Sequence, residues 1–338
     1  MVLIAQLDKA FVRARPTKIW PRLVAYGLFE GRPLTTRGRW INPLVFTGYK
    51  IWSLLPLKTR DTSPVFILGV GRSGTTILGK ILALHRDVGY LNEPKALWHA
   101  ALGNDDLIGS YSSSVGRYRL TGADAVPLRK QRLERFYSAF LLLSKCRRVV
   151  DKYPELLFRT KFLTETFPKS KKIILIRNGL DICQSIQKWS QRHGQMVGHH
   201  TDDWWGRNRQ KWNVLVNELA AHDPVLRSAL PEIKTFTSHV DMAAVEWILA
   251  MREALKLRAR SPDEYLFVPY EELISNPSCC LSNILDFCDL NHDSVVIDYA
   301  KTVLSPQARH GTTQPHSAIA HAFNQTMADL GYAHVEQA

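Results

Sequence analysis

Pro64-Val-Phe-Ile-Leu-Gly-Val-Gly-Arg-Ser-Gly-Thr-Thr-Ile-Leu78 decides how this chain is read. The stretch opens with a short apolar run between proline and glycine, the pattern of a buried strand. A glycine-rich turn follows, and two threonines then begin an apolar pattern of helical spacing. Strand, glycine loop and helix in that order make an anion cradle. The glycines let the backbone approach an anion and turn successive N–H groups inward, and the helix N-terminus adds partial positive charge. For the loop taken alone, a tight turn without a ligand is the alternative.

The loop departs from the nucleoside triphosphate-binding pattern G-x-x-x-x-G-K-[ST], in which lysine reaches the outer phosphates and Ser/Thr holds magnesium. Gly69 and Gly74 have the required spacing, but Thr75 occupies the lysine position. The cation has moved back to Arg72, where it reaches a single 5′-phosphate and its leaving bond. A kinase or ATPase is therefore disfavoured, and a P-loop kinase with an altered motif remains the alternative enzyme.

Two further apolar runs outside this stretch read as strands, Lys172–Arg177 and Glu264–Tyr270, and helical periodicity lies between the three runs at Gln131–Leu143 and Ala243–Leu257. Strands alternating with helices predict an α/β fold, a P-loop-type parallel β-sheet flanked by helices on both faces. Such folds bind ligands beyond the carboxyl ends of the strands, where the first two runs deliver polar residues. The second run ends in Arg177-Asn-Gly-Leu-Asp-Ile-Cys-Gln-Ser185. If a helix starts near Leu180, Ser185 can hydrogen-bond a phosphate that Arg177 neutralises, and Asp181 can cap the helix or hold Arg177. A purely structural Arg–Asp pair is the alternative. Two anion sites at two strand ends suit a nucleotide phosphorylated at two separate places.

With 338 residues and 45% hydrophobic content the chain can fill one large α/β domain, which sets aside disordered and fibrous classes. Its five cysteines, Cys146, Cys183, Cys279, Cys280 and Cys288, are odd in number and scattered. They read as free thiols of a reducing compartment. The opening residues place charge inside any would-be signal peptide core, and no apolar run approaches the roughly 18 residues of a membrane span. The expected location is cytoplasmic, soluble or peripheral on the inner face of a membrane. Net charge is +13, and residues 1–60 hold eleven Lys/Arg against Asp8 and Glu30. Trp20, Tyr26, Phe29, Trp40, Phe46, Tyr49 and Trp52 interleave with these cations, a mixture suited to an anionic membrane surface. Packing of this extension on the main domain is the other option.

The motifs GVGRSGTT, LNEP, DKYP, RNGLDICQS and VPYEELISNP, spread from about Pro64 to about Leu290, resemble those of the PAPS-dependent sulfotransferases. The pattern is most similar to the branch of tyrosylprotein sulfotransferases and their bacterial relatives. The resemblance implies a donor, 3′-phosphoadenosine 5′-phosphosulfate (PAPS), and a product, PAP. Together with the composition of the N-terminal segment, it divides the chain into a basic aromatic extension at 1–60 and a sulfotransferase domain at 61–338. By that resemblance Gly71, Arg72, Ser73, Gly74, Thr75 and Thr76 bind the 5′-phosphosulfate, and Arg177 and Ser185 bind the 3′-phosphate. Tyr270 lies near the adenine, and Arg309 belongs to a loop closing over the 3′-phosphate. Glu93 matches the family's catalytic base, and Arg72 and Lys152 match its charge-stabilising cations. Chemically, an acceptor hydroxyl must lose a proton as it attacks sulfur, and cations must meet charge developing on the transferred group.

The expected partner is an acceptor bearing a hydroxyl, with glycan, lipid-linked and small-molecule acceptors all open and no nucleic acid. Protein tyrosine is disfavoured, because the anchor and disulfides of the Golgi enzymes are not seen. No metal is expected, since side-chain cations serve a group less charged than a triphosphate. His193, His199 and His200 lie in a segment read as a flexible glycine-bearing loop, not a ligand set. Its Trp204 and Trp205 are candidates for the acceptor wall. A non-catalytic nucleotide-binding protein is the remaining alternative.

Overall fold

The computed structural model describes residues 4–32, 39–55, 62–103, 105–197, 199–305 and 314–332. Helices α1 (Lys9–Ala14), α2 (Ile19–Val24) and α3 (Asn42–Leu54) precede strand β1 (Val65–Leu68). Helix α4 (Thr75–Leu82), strand β2 (Val88–Asn92), helices α5 (Lys95–Leu102) and α6 (Pro127–Ser144) and strand β3 (Arg148–Lys152) follow. Next come α7 (Thr160–Thr166), β4 (Lys171–Ile176) and α8 (Gly179–His193). A small antiparallel sheet of β5 (Gln195–Val197), β6 (His200–Asp203) and β7 (Gly206–Arg207) leads to α9 (Gln210–Glu218), α10 (Leu230–Thr235) and α11 (His239–Arg260). Strand β8 (Tyr265–Pro269) and helices α12 (Tyr270–Ser275), α13 (Pro277–Phe287), α14 (Ser294–Val303) and α15 (Ser317–Asp329) complete the order.

The main sheet is parallel throughout, in the order β2-β3-β1-β4-β8. Alternate residues along each strand enter opposite cores, as the period of two requires. Phe66, Leu68, Ile174 and Ile176 pack on one side with residues of α5, α6, α8 and α11. Val65, Ile67, Ile173 and Leu175 pack on the other with residues of α4, α13 and α14. The sheet is thus buried on both faces by helices, as the sequence led us to expect.

Strands β2 and β3 were not among the three runs read as buried strands. Arg148-Val-Val-Asp-Lys152 has only two apolar residues and a buried carboxylate, so its run is too short to stand out. The segment read as a flexible loop, 191–205, instead ends α8 and supplies β5 and β6. Backbone pairing between Gln195–Val197 and His200–Asp203 organises it despite its polar composition.

The described residues of the basic N-terminal segment lie against this fold. Phe29, Val45 and Tyr49 join the same core as Phe66, and Phe11 joins the opposite one. Arg15 forms a two-pronged ion pair with Asp293 at 2.7 and 2.8 Å. Lys18 donates to the Arg86 and Val88 carbonyls, each at 2.9 Å, and Arg22 pairs with Glu30 at 2.8 Å. Several cations of the segment therefore serve the interior.

Candidate active site

Between β1 and α4 the chain turns through left-handed backbone at Arg72 (φ 72°) and Gly74 (φ 97°). The Ser73 hydroxyl donates to the Val70 carbonyl at 2.7 Å, which closes the turn from inside. Ser73 is fully buried, so its side chain shapes the loop, while Thr75 and Thr76 open α4 beside the cavity. A Cβ at Gly74 would run into the ring of Tyr270, and one at Gly71 would lie 2.5 Å from the Trp204 ring. The glycines admit an aromatic side chain on each side of the loop.

A cavity of about 390 Å³ lies on the Tyr270 side, bordered by Arg72, Thr75, Thr76, Arg177, Ser185 and Tyr270. Strand β4 delivers Arg177 at its carboxyl end, and Trp247 of α11 fixes that end by donating to the Arg177 carbonyl at 3.0 Å. Arg177 Nη1 donates to the Arg72 carbonyl at 3.1 Å, and its guanidinium lies 4.3 Å from the Tyr270 ring centre. The Arg72 Nε donates to Ser185 Oγ at 3.0 Å. Asn178 caps α8 by accepting from the Leu180 N–H, whereas Asp181 sits 3.8 Å from Arg177. Of the two roles open to Asp181, the structure selects the partner of arginine. Two guanidinium groups, a hydroxyl and a helix N-terminus so face one cavity, a set suited to a multiply charged anion. Arg309 lies outside the described residues.

On the other side of the loop, the β2–β3 register sets Asn92 opposite Lys152. The next residue, Glu93, donates its N–H to the Lys152 carbonyl at 2.7 Å and turns with φ 48°. Its side chain, 37% exposed, forms an ion pair with the nearly inaccessible ammonium of Lys152. Burial would raise the Glu93 pKa, but the charges of Lys152 and Lys95 and the Lys152 hydrogen bond hold it well below the usual carboxylate range. Lys95 reaches Glu93 at 3.5 Å and Glu155 at 3.4 Å. Lys211 joins Glu155 at 3.4 Å to Glu246 at 2.7 Å, and Trp204 Nε1 donates to Glu246 at 3.0 Å. Behind Lys152, Asp151 is buried and accepts from Trp98 Nε1 at 3.0 Å and the Tyr137 hydroxyl at 2.6 Å; burial pushes its pKa up to about 7.

Glu93 faces a second cavity, of about 90 Å³, with Gly71, Trp189, Trp204, Asp203 and Lys211 also at its border. Trp204 thus borders the same cavity as Glu93. Trp205 does not: it is fully buried and donates to His239 Nδ1 at 2.8 Å. Partial desolvation lowers the Arg72 pKa, Glu93 raises it and Arg177 lowers it, so one loop residue feels both sites. Sequence reading missed Lys95, Glu155, Trp189, Lys211 and Glu246. The first two follow Glu93-Pro94 and Tyr153-Pro154 directly, a local signal that was available. The others reach the site from distant elements.

Residues 64–229 match the model of the sulfotransferase family. Nodulation protein NoeE of Sinorhizobium fredii is 26% identical over 254 residues, 72% of this chain and 54% of that protein. An uncharacterized protein of Aquifex aeolicus is 25% identical over 251 residues, 71% of this chain and 27% of that protein. The chain thus spans about half the length of the first and about a quarter of the second. Among solved structures, the sulfotransferase domain of the Synechococcus PCC 7002 olefin synthase aligns with a TM-score of 0.45 and 20% identity, covering 82% of this chain and 99% of that one. The matched stretch, just under half of the chain, contains the glycine loop, Glu93, Lys152, Arg177 and Ser185, and over it this chain is similar to the sulfotransferase family.

Proposed function

We propose that the chain transfers a sulfuryl group from PAPS to an acceptor hydroxyl by in-line displacement. The observation that carries this reading is that consecutive loop residues border two different cavities, Arg72 the cationic one and Gly71 the one holding Glu93. A donor seated in the first cavity has its leaving bond at the loop, facing the second. The 5′-phosphosulfate lies on the backbone of 71–76, and the 3′-phosphate takes Arg177 and Ser185.

In the reaction the acceptor O–H bond breaks, its proton passes to Glu93, and the oxygen forms a bond to sulfur. The bond from sulfur to the 5′-phosphate oxygen breaks, and its electrons leave on PAP. Arg72 and Lys152 meet the charge spread over the transferred group and the departing oxygen. As Lys152 turns to that charge it weakens its hold on Glu93, whose burial then makes the carboxylate a better base. The fork and fixed charge of Arg72 suit a clamp, not a proton donor. The acceptor hydroxyl belongs to a glycan, a lipid-linked molecule or a small metabolite.

Calorimetric titration with PAP in EDTA, beside ATP and the Arg177→Ala variant, tests the reading. Tight PAP binding, weak ATP binding and loss on mutation are expected. Folded protein that ignores PAP, or that turns over ATP with magnesium, overturns it in favour of an altered P-loop kinase or a binding protein.

A further inference from the structure

Helix α3 has two contrasting faces. Val45 and Tyr49 are buried, and Phe46 lies 5.8 Å from the ring of His99 in α5 and 5.7 Å from that of Tyr111. On the opposite side Leu44, Ile51 and Leu54 are exposed at spacings of seven and three, one stripe of a helix. Trp40, in the turn leading into α3, continues the stripe and is 83% exposed; Leu54 at its far end is 82% exposed. Exposed Arg39 precedes Trp40, and exposed Lys50 flanks the stripe. The only two acids of residues 1–60 are engaged elsewhere, Asp8 with Lys80 and Glu30 with Arg22. The exposed charges of residues 1–60 beside this stripe are therefore both positive, although Arg39 also lies near enough to Asp202 of β6 for its charge to favour that carboxylate.

We propose that this face of α3 docks the enzyme on an anionic lipid surface. Leu44, Ile51 and Leu54 enter the acyl boundary, Trp40 lies at headgroup level, and Arg39 and Lys50 meet lipid phosphates. A second copy of the chain fits less well, because a self-complementary contact here would bring like charges together. This narrows the surface expected from composition. Tyr26, Phe29, Phe46, Tyr49 and Trp52 are buried or partly buried, and Lys18, Arg22 and Arg32 are buried, so these are not available to lipid. The position has a consequence for the acceptor. α3 rests on α5, which begins two residues after Glu93, and Tyr111 adjoins Ser110 at the border of the Glu93 cavity. One helix layer separates the docking face from the cavity wall, which suits an acceptor presented at the membrane.

Cosedimentation of the full chain with phosphatidylglycerol-containing vesicles and with phosphatidylcholine vesicles tests this, independently of donor binding. Partitioning about tenfold or more in favour of the anionic vesicles is expected from two or more surface cations. The Leu44→Glu, Leu54→Glu variant should return to the supernatant with unchanged PAP affinity; if it fails to fold, Arg39→Glu with Lys50→Glu makes the same test through exposed charges alone. Equal recovery with both lipids, binding that survives the variants, or a dimer in sedimentation velocity that the variants split, each overturns the proposal.

Discussion

Lys152 and Glu93 are joined twice, by an ion pair between Nζ and Oε1 and by a backbone hydrogen bond of 2.7 Å from the Glu93 N–H to the Lys152 carbonyl. The backbone bond extends the β2–β3 pairing by one residue. It holds Glu93 in place whether or not the side chains remain paired. On the proposed reading Glu93 is a base positioned by the sheet, and its strength depends on what else the Lys152 ammonium touches.

Glu93→Gln should lower kcat by about 10²- to 10⁴-fold, the usual range for a positioned general base, with PAP affinity retained. In Lys152→Ala the burial that raises the Glu93 pKa remains while the largest opposing charge is gone. The acidic limb of kcat/KM, where Glu93 becomes protonated, should move to higher pH. A limb that stays in place removes Glu93 as the titrating base.

Arg177→Ala removes a guanidinium held between Arg72, Asp181 and Tyr270. A charge-assisted bond of about 1.5–3 kcal/mol corresponds to a loss of about tenfold to a hundredfold in PAP affinity by calorimetry. Arg177→Lys should recover only part of it, since the fork is lost.

Gly74→Ala puts a methyl group into the Tyr270 ring and demands φ 97° of a residue with a Cβ. Strain of about 1–3 kcal/mol should appear as a lower Tm together with weaker PAP binding. Gly74→Ala with Tyr270→Ala relieves the clash but not the backbone, so Tm should rise only partway.

Trp204→Ala opens the wall opposite Glu93 and strips a partner from Glu246. Acceptor KM should rise with little change in PAP affinity. An unchanged KM for a turned-over acceptor places that acceptor elsewhere.

Burial raises the Asp293 pKa, but the Arg15 hydrogen bonds, the hydrogen bond from the Arg86 N–H and the Arg15 charge outweigh it and bring the pKa down to about 2. A carboxyl depressed in the folded state adds stability above its unfolded value of about 3.9, and that stability is lost as pH falls toward about 2. Urea denaturation across that window should show a stability loss in the native chain that is much smaller in Arg15→Ala. Breaking this pair should cost about 3–5 kcal/mol at neutral pH. An equal Tm in the variant means that Arg15 does not hold the N-terminal segment to the fold.

Much of the cavity bordered by Arg72 and Arg177 could be read in the sequence because its parts are local. Strand, glycine turn and helix follow one another in 64–82, and Arg177 and Ser185 are eight residues apart across a strand end and a helix start. Patterns of that range depend on backbone preference and short apolar runs, and β1, β4 and β8 carry them plainly. The aromatic side of the loop was less legible: Trp204 borders the Glu93 cavity, while Trp205, its neighbour, is core.

The sequence by itself determined the α/β alternation and the glycine loop with arginine in place of the Walker lysine, and it singled out Glu93, Arg72 and Lys152 as the candidates for proton transfer and charge stabilisation. Only the tertiary structure decided which charges meet. Pairing of β2 with β3 brings Glu93 to Lys152 across 59 residues, and the fold brings Lys211 and Glu246 from separate helices into the same buried network. It also turned Arg15, Lys18 and Arg22 inward while leaving Arg39 and Lys50 at the surface. A lysine in a sequence does not state its partner. That is settled by which charges can be removed from water together, a property of distant chain segments packed against one another.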